Sequence, residues 1–432
     1  MRALLAPAAT IAAATPTDRD RYLDLLRGLS IAVVVIGHWL LPVLWLDDGH
    51  LRAETLLTAA PAVGWITWIV QVMPLFFLVG GVVNVRSWRA ARADRVSYAT
   101  WVARRAARLL RPTTVLVWAW VVLASGALAI GVDRSLILLG ARNALVPLWF
   151  LAVYLLMIAA LPVLLAAYTR WGAAVVPALV VGAGLVDAAT LAGVPLIEFV
   201  NYPLVWAVPT VLGFAWADGR LEGRRVRIGL PLAALAGLVA AVTVLGYPIT
   251  LVGVADAGGP RVPATLALLG LAQAGVALAA RRPATAWLQR PGPWAAVVRL
   301  NTVAMTVYLW HLTVMVLVTG LLAAVATWWV VEPLTGAWWM TRPLWLAGLT
   351  AALMPVVGLL LPIERSVPPV APRPRGRRAV AATVVTVLVA SLATAAVTVG
   401  GTLGPSGLAA AVLLTAAARL AGAFGTTPSM AS

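Results

Sequence analysis

The 432-residue chain has no cysteine, and all 32 of its basic residues are arginine. The missing cysteine excludes disulfides, thiolate nucleophiles and Cys-ligated metals. Charge is scarce as well: 11% of residues are charged, against about 25% in a typical soluble domain. Only three histidines occur, His38, His50 and His311. No Gly-rich phosphate loop, internal repeat or metal-ligand spacing is present, and His50 beside Asp47 and Asp48 is too little for a metal site.

Apolar residues take the place of charge, at 62% of the chain. Several runs approach or exceed the roughly 20 residues that cross a bilayer as a helix. They are continuous rather than alternating, which excludes a transmembrane barrel. The sequence therefore predicts an all-α, polytopic transmembrane helical bundle. Spans are expected near 25–46, 62–85, 112–132, 146–168, 173–193, 203–217, 228–251, 262–280, 300–326, 343–362 and 379–400, with a further apolar run at 407–424. That gives a cytoplasmic tail (1–20), a ten-span core (21–365), a Pro/Arg linker (366–378) and one or two C-terminal apolar helices with a tail (379–432).

The net charge of +17 does not require nucleic acid, because the arginines crowd the loops on one side. With the N-terminus inside, and Arg419 after the eleventh span left unassigned, only Arg52, Arg134, Arg142, Arg261 and Arg342 fall in outer loops, and cytoplasmic loops are the basic ones. A multi-pass protein of a bacterial plasma membrane, with a cytoplasmic N-terminus, is expected. The most basic stretch is 86–111. From Tyr98 it has helical periodicity, with Tyr98, Trp101, Val102, Ala106 and Leu109 on one side and Arg104, Arg108 and Arg111 on another. An interfacial helix on anionic lipid fits this pattern, and so does a site for a phosphate-bearing ligand. Pro112 would then start the third span.

Ionisable groups inside spans are costly and mark function. Asp24, Arg27 and His38 sit in or beside the first apolar run. Eleven residues separate Arg27 from His38, three turns plus about 20°, so both lie on one helix face roughly 16 Å apart. Asp24 is expected to orient Arg27 as an ion pair. His311 follows Arg299 in a span of the same direction, at a similar depth to His38, and a shared cavity follows from that reading. Gln71, Asn84, Gln273 and Asn301 are expected to bond across helices. Asp187 and Glu198 flank an outer loop and are expected to be solvated, and the twenty tryptophans to be interfacial anchors.

These residues resemble a family. "LDLLRGLSIAVVVIGHW" at 23–39 carries the arginine, ten residues, histidine pattern of the acyltransferase-3 membrane acyltransferases. "PLFFLVGG" at 74–81 is similar to another of their segments, with Gly80 where a serine is usual. "RRAARLLRP" at 104–112, "PLWFL" at 147–151, "YLWH" at 308–311 and "PIER" at 362–365 resemble further landmarks. The acidic residue common after "LWFL" is absent, since "AVYLL" follows here. The resemblance implies transfer of an acyl group from cytoplasmic acyl-CoA to a hydroxyl of a sugar, lipid or secondary metabolite, with no bound cofactor. Arg104, Arg105 and Arg108, with Arg27, would hold the donor's phosphates. His38 would be the general base, since imidazole accepts a proton near neutral pH, or would carry the acyl group itself. His311 would be a second catalytic or positioning residue. The partners implied are acyl-CoA, a hydroxyl-bearing acceptor and membrane lipid, with no nucleic acid. A polytopic transporter, with the polar residues as a substrate or proton path, is the alternative reading.

Overall fold

The computed structural model describes residues 6–47, 50–252, 261–325, 331–366 and 368–425. Asp48, part of the His50 reading, and the first five residues of the tail lie outside these. The described residues are overwhelmingly helical, with a single two-stranded sheet among them. Among the described residues nine helical stretches are long and apolar enough to cross a membrane. The protein is an all-α polytopic bundle. It divides into two compact units, Met1–Val34 with Ala60–Ser87 and Ala160–Ala304, and Val35–Ala59 with Trp88–Ala159 and Met305–Ser432.

In the first unit α1 (Ala8–Ala13) gives the tail a packed structure. Ile11 is buried among Leu288, Trp294, Ala295 and Val297, and the Trp294 indole donates to the Thr15 hydroxyl at 2.6 Å. The next helices are α2 (Arg21–Leu40) and α3 (Met73–Ala93), both of which continue into the second unit. The expected span 25–46 stops at Leu40. Leu41 precedes Pro42, which disfavours helix at both positions. The β-prone run that follows pairs as a hairpin, β1 (Pro42–Asp47) with β2 (His50–Thr55). His38 therefore occupies the last turn of α2 rather than the middle of a span.

Expected spans 112–132 and 146–168 are the second unit's α4 (Tyr98–Ala129) and α6 (Leu148–Trp171), the latter continuing into the first unit. Pro112 does not start a helix but lies inside α4. Membrane helices tolerate this because neighbouring hydroxyls satisfy nearby carbonyls, here Thr113 on Leu109 and Thr114 on Leu110, both at 2.7 Å. Between them the chain forms α5 (Arg134–Leu145), which Asp133 caps by accepting from the Ser135 N–H at 2.8 Å.

The first unit's remaining helices are α7 (Val175–Leu191), α8 (Asn201–Ala217), α9 (Arg224–Thr243) and α10 (Thr265–Trp287). Glycine sets the crossing of α3 and α8: a Cβ on Gly81 would lie 2.2 Å from the Thr210 carbonyl oxygen, and one on Gly213 2.5 Å from that of Leu78. Close approach through small residues is a membrane packing device. Asp187 corrects the expectation of a solvated acid, being fully buried. It accepts from Asn201 at 2.7 Å, the Tyr247 hydroxyl at 2.8 Å and the Ala264 N–H at 2.7 Å. Glu198 pairs with Arg261 at 3.2 Å.

The chain continues with α11 (Pro291–Val325), shared between the units, then α12 (Gly336–Arg365), α13 (Arg377–Gly400) and α14 (Pro405–Ala421) in the second. The two C-terminal helices pack on each other and on α4. The linker is pinned as well, since the Arg373 N–H donates to the Thr100 hydroxyl at 2.7 Å.

Candidate active site

His38 and His311 meet inside the second unit. His38 Nδ1 and His311 Nε2 are 2.8 Å apart. The ring centroids are 5.1 Å apart and the planes differ by 3°. That centroid distance is the N···N separation plus a ring radius on each side, so the rings lie edge to edge in one plane, joined by an in-line hydrogen bond.

The rest of the network fixes the direction of this bond. His311 Nδ1 is 2.7 Å from the Tyr308 carbonyl oxygen. A carbonyl only accepts, so Nδ1 of His311 carries the proton, and in the neutral ring Nε2 is then an acceptor. His38 Nδ1 must donate to it, which leaves Nε2 of His38 as the pair's one imidazole nitrogen with a free lone pair. His38 is half-buried, whereas His311 has no exposed surface. Of the two rings, only that of His38 has exposed surface.

The surrounding groups hold the pair rigid. The Trp39 indole donates to the His311 carbonyl at 3.0 Å, and the Trp345 indole to the Trp39 carbonyl at 2.9 Å. Trp120 donates to the Thr313 hydroxyl at 2.9 Å. The Tyr308 hydroxyl reaches the Pro147 carbonyl at 2.8 Å, so "YLWH" touches "PLWFL". Thr306 donates to the Glu364 carboxylate of "PIER". These tryptophans are framework donors, and no spacing in the sequence marks them. Tyr308 belongs to a quoted motif, but its backbone role has no sequence signal.

The arginines separate into different surroundings. In the first unit, Arg27 donates from Nε to Asn301 at 2.9 Å and from Nη2 to Asp24 at 3.1 Å. Asp24 also takes Arg19 at 2.6 Å. In the second unit Arg104 and Arg108 are exposed one turn apart on α4, and among the described residues neither has a hydrogen bond or ion pair. Arg105 lies over the Trp101 ring, 4.8 Å from its centroid, and within electrostatic reach of Tyr154. From Tyr154 a row of rings leads to the histidines: Phe150 at 5.6 Å, Tyr308 a further 5.5 Å on, and His311 at 6.1 Å from Tyr308. Arg111 does not join Arg104 and Arg108, because it is engaged with the Ser366 carbonyl at 2.9 Å. Among the described residues no group of three or more His, Asp or Glu is placed to hold a metal ion.

A family model described as an acyltransferase domain matches residues 20–361. The chain belongs to the acyltransferase-3 family. No curated protein and no solved structure matches it. The matched region contains both histidines and all four arginines expected to act, and ends before α13. Together with the apolar helices, membership makes this chain a membrane acyltransferase.

Proposed function

We propose that this membrane acyltransferase moves an acyl group from acyl-CoA to a hydroxyl of a sugar, lipid or secondary metabolite, with His38 Nε2 as general base. The observation that carries this reading is the free lone pair on the half-buried His38, backed by an oriented and fully buried His311. His38 Nε2 takes the acceptor's proton as that oxygen attacks the thioester carbonyl carbon. The C–S bond breaks, and the leaving thiolate takes the proton back from the imidazolium. During attack the charge on His38 strengthens its bond to His311, as charge-assisted hydrogen bonds are stronger than neutral ones. His311 is a positioning residue in this scheme.

Arg104 and Arg108, exposed and unpaired on α4, suit the donor's phosphates, and Arg105 beside Tyr154 marks the start of the aromatic row toward the histidines. Arg27, tied to Asp24 and Asn301, serves the packing of the first unit. The N-terminus and the basic segment face the cytoplasm of a bacterial cell, where acyl-CoA is made.

The test uses purified protein in detergent, acyl-CoA and pooled lipid, glycan and metabolite extracts. A thiol-reactive chromophore reports released CoA without background from the cysteine-free chain, and mass spectrometry identifies the acylated product. Acceptor-dependent CoA release that disappears in His38→Ala is expected. A protein that binds no acyl-CoA would overturn the proposal.

A further inference from the structure

α4 also lines a groove that the acyl-transfer reading does not use. It lies in the second unit between α4 and α14, with a volume of about 350 Å³, lined by Thr114, Val115, Trp118, Thr415, Arg419 and Phe424. That is within the roughly 300–1,000 Å³ of ordinary small-molecule sites. Its polar wall atoms are already engaged. Thr114 donates to Leu110 at 2.7 Å, Thr415 to Ala411 at 2.7 Å, and the Trp118 indole to Thr415 at 2.8 Å. Arg419 is the exception. It is exposed in the last turn of α14 and has no hydrogen bond or ion pair among the described residues. Arg111 adds positive charge at the same end, 5.9 Å from the Phe424 ring, and its buried Nε has no partner.

An apolar groove with a single cationic mouth, on helices of a membrane protein, suits a guest with an apolar chain and one anionic head. We infer that it holds one acyl chain of an anionic glycerophospholipid, with Arg419 on the phosphate. A guanidinium fork matches phosphate oxygens, and basic pockets between membrane helices select anionic headgroups. The lipid would fasten α14, which lies beyond the matched region, to the helix that carries Arg104 and Arg108. It is no route to the reacting histidine. Val115 also borders a second space of only about 10 Å³ beside Thr306 and Glu364, room for one water at most. Thr306 precedes His311 by five residues, about 140° around α11.

The test is native mass spectrometry of the delipidated full-length protein in neutral detergent, offered phosphatidylglycerol or phosphatidylcholine with the same chains. Wild type should retain one phosphatidylglycerol in preference to phosphatidylcholine by roughly tenfold or more, because the choline cation beside the same phosphate opposes Arg419 and weakens a charge-assisted contact. Arg419→Gln should bring the two lipids to near equality. Val115→Phe, or Thr415→Ile if that variant fails to fold, should reduce retention of both by filling the groove. Phosphatidylglycerol preference surviving in Arg419→Gln overturns the inference. So does thermal protection by sn-glycerol 3-phosphate equal to that by the whole lipid, since the site would then read phosphate without a chain.

Discussion

Replacing His311 by glutamine and by asparagine should separate the two ends of its imidazole. The glutamine amide reaches the Nε2 position and supplies an acceptor for His38 Nδ1. The asparagine amide reaches only the Nδ1 position, near the Tyr308 carbonyl, and leaves His38 without a partner. His311 has no exposed surface and its Nε2 is 2.8 Å from His38, so in the proposed mechanism it acts through His38. A neutral hydrogen bond contributes about 1 kcal/mol and one to a charged group about 1.5–3 kcal/mol. If His38 is neutral in the ground state and cationic during attack, the bond gains about 0.5–2 kcal/mol on the way to the transition state. Losing that gain lowers kcat roughly 2- to 30-fold. His311→Asn should therefore fall by that factor, with KM for acyl-CoA unchanged, while His311→Gln stays within about threefold of wild type. Single-turnover transfer beside equilibrium donor binding measures both quantities. Equal activity of the two variants, with both folded, would refute a role for the His38–His311 hydrogen bond in the reaction.

Arg104→Gln combined with Arg108→Gln should weaken acyl-CoA binding by more than about tenfold, with turnover at saturating donor preserved. Isothermal titration at two salt concentrations checks this, and unchanged affinity would leave the segment a membrane anchor. Asp187→Ala strands three donors, two of them buried, so thermal unfolding should come several degrees earlier than in Asp187→Asn, which keeps an accepting oxygen. Orientation is readable with single cysteines in this cysteine-free chain. Ser135→Cys should react with an impermeant thiol reagent in intact cells and Ala93→Cys only after permeabilisation, and the reverse pattern would invert the proposed topology.

Much of this was legible because a helix converts spacing into direction. The wide apolar runs announced the bundle, and matching span direction brought His38 and His311 into one argument. What stayed hidden depends on pairing across long sequence separations. Trp345 on the Trp39 carbonyl, Trp120 on Thr313 and Tyr308 on Pro147 leave no periodic trace. Asp187 looked solvated because its three donors come from three separate segments. The end of α2 at Leu40 was marked by Pro42, but the apolar residues after it suit a strand as well as a span. Pro112 misled in the opposite sense, since a helix start and a membrane-helix interior both accept proline.

The central claim is that His38 Nε2 removes the acceptor's proton, and His38→Ala tests it most directly, with transfer rate and acyl-CoA affinity measured on the same folded, detergent-purified protein. General base catalysis contributes about 10²–10⁴-fold, so kcat should fall by that range while donor affinity stays at the wild-type value. Wild-type turnover in His38→Ala would contradict the account.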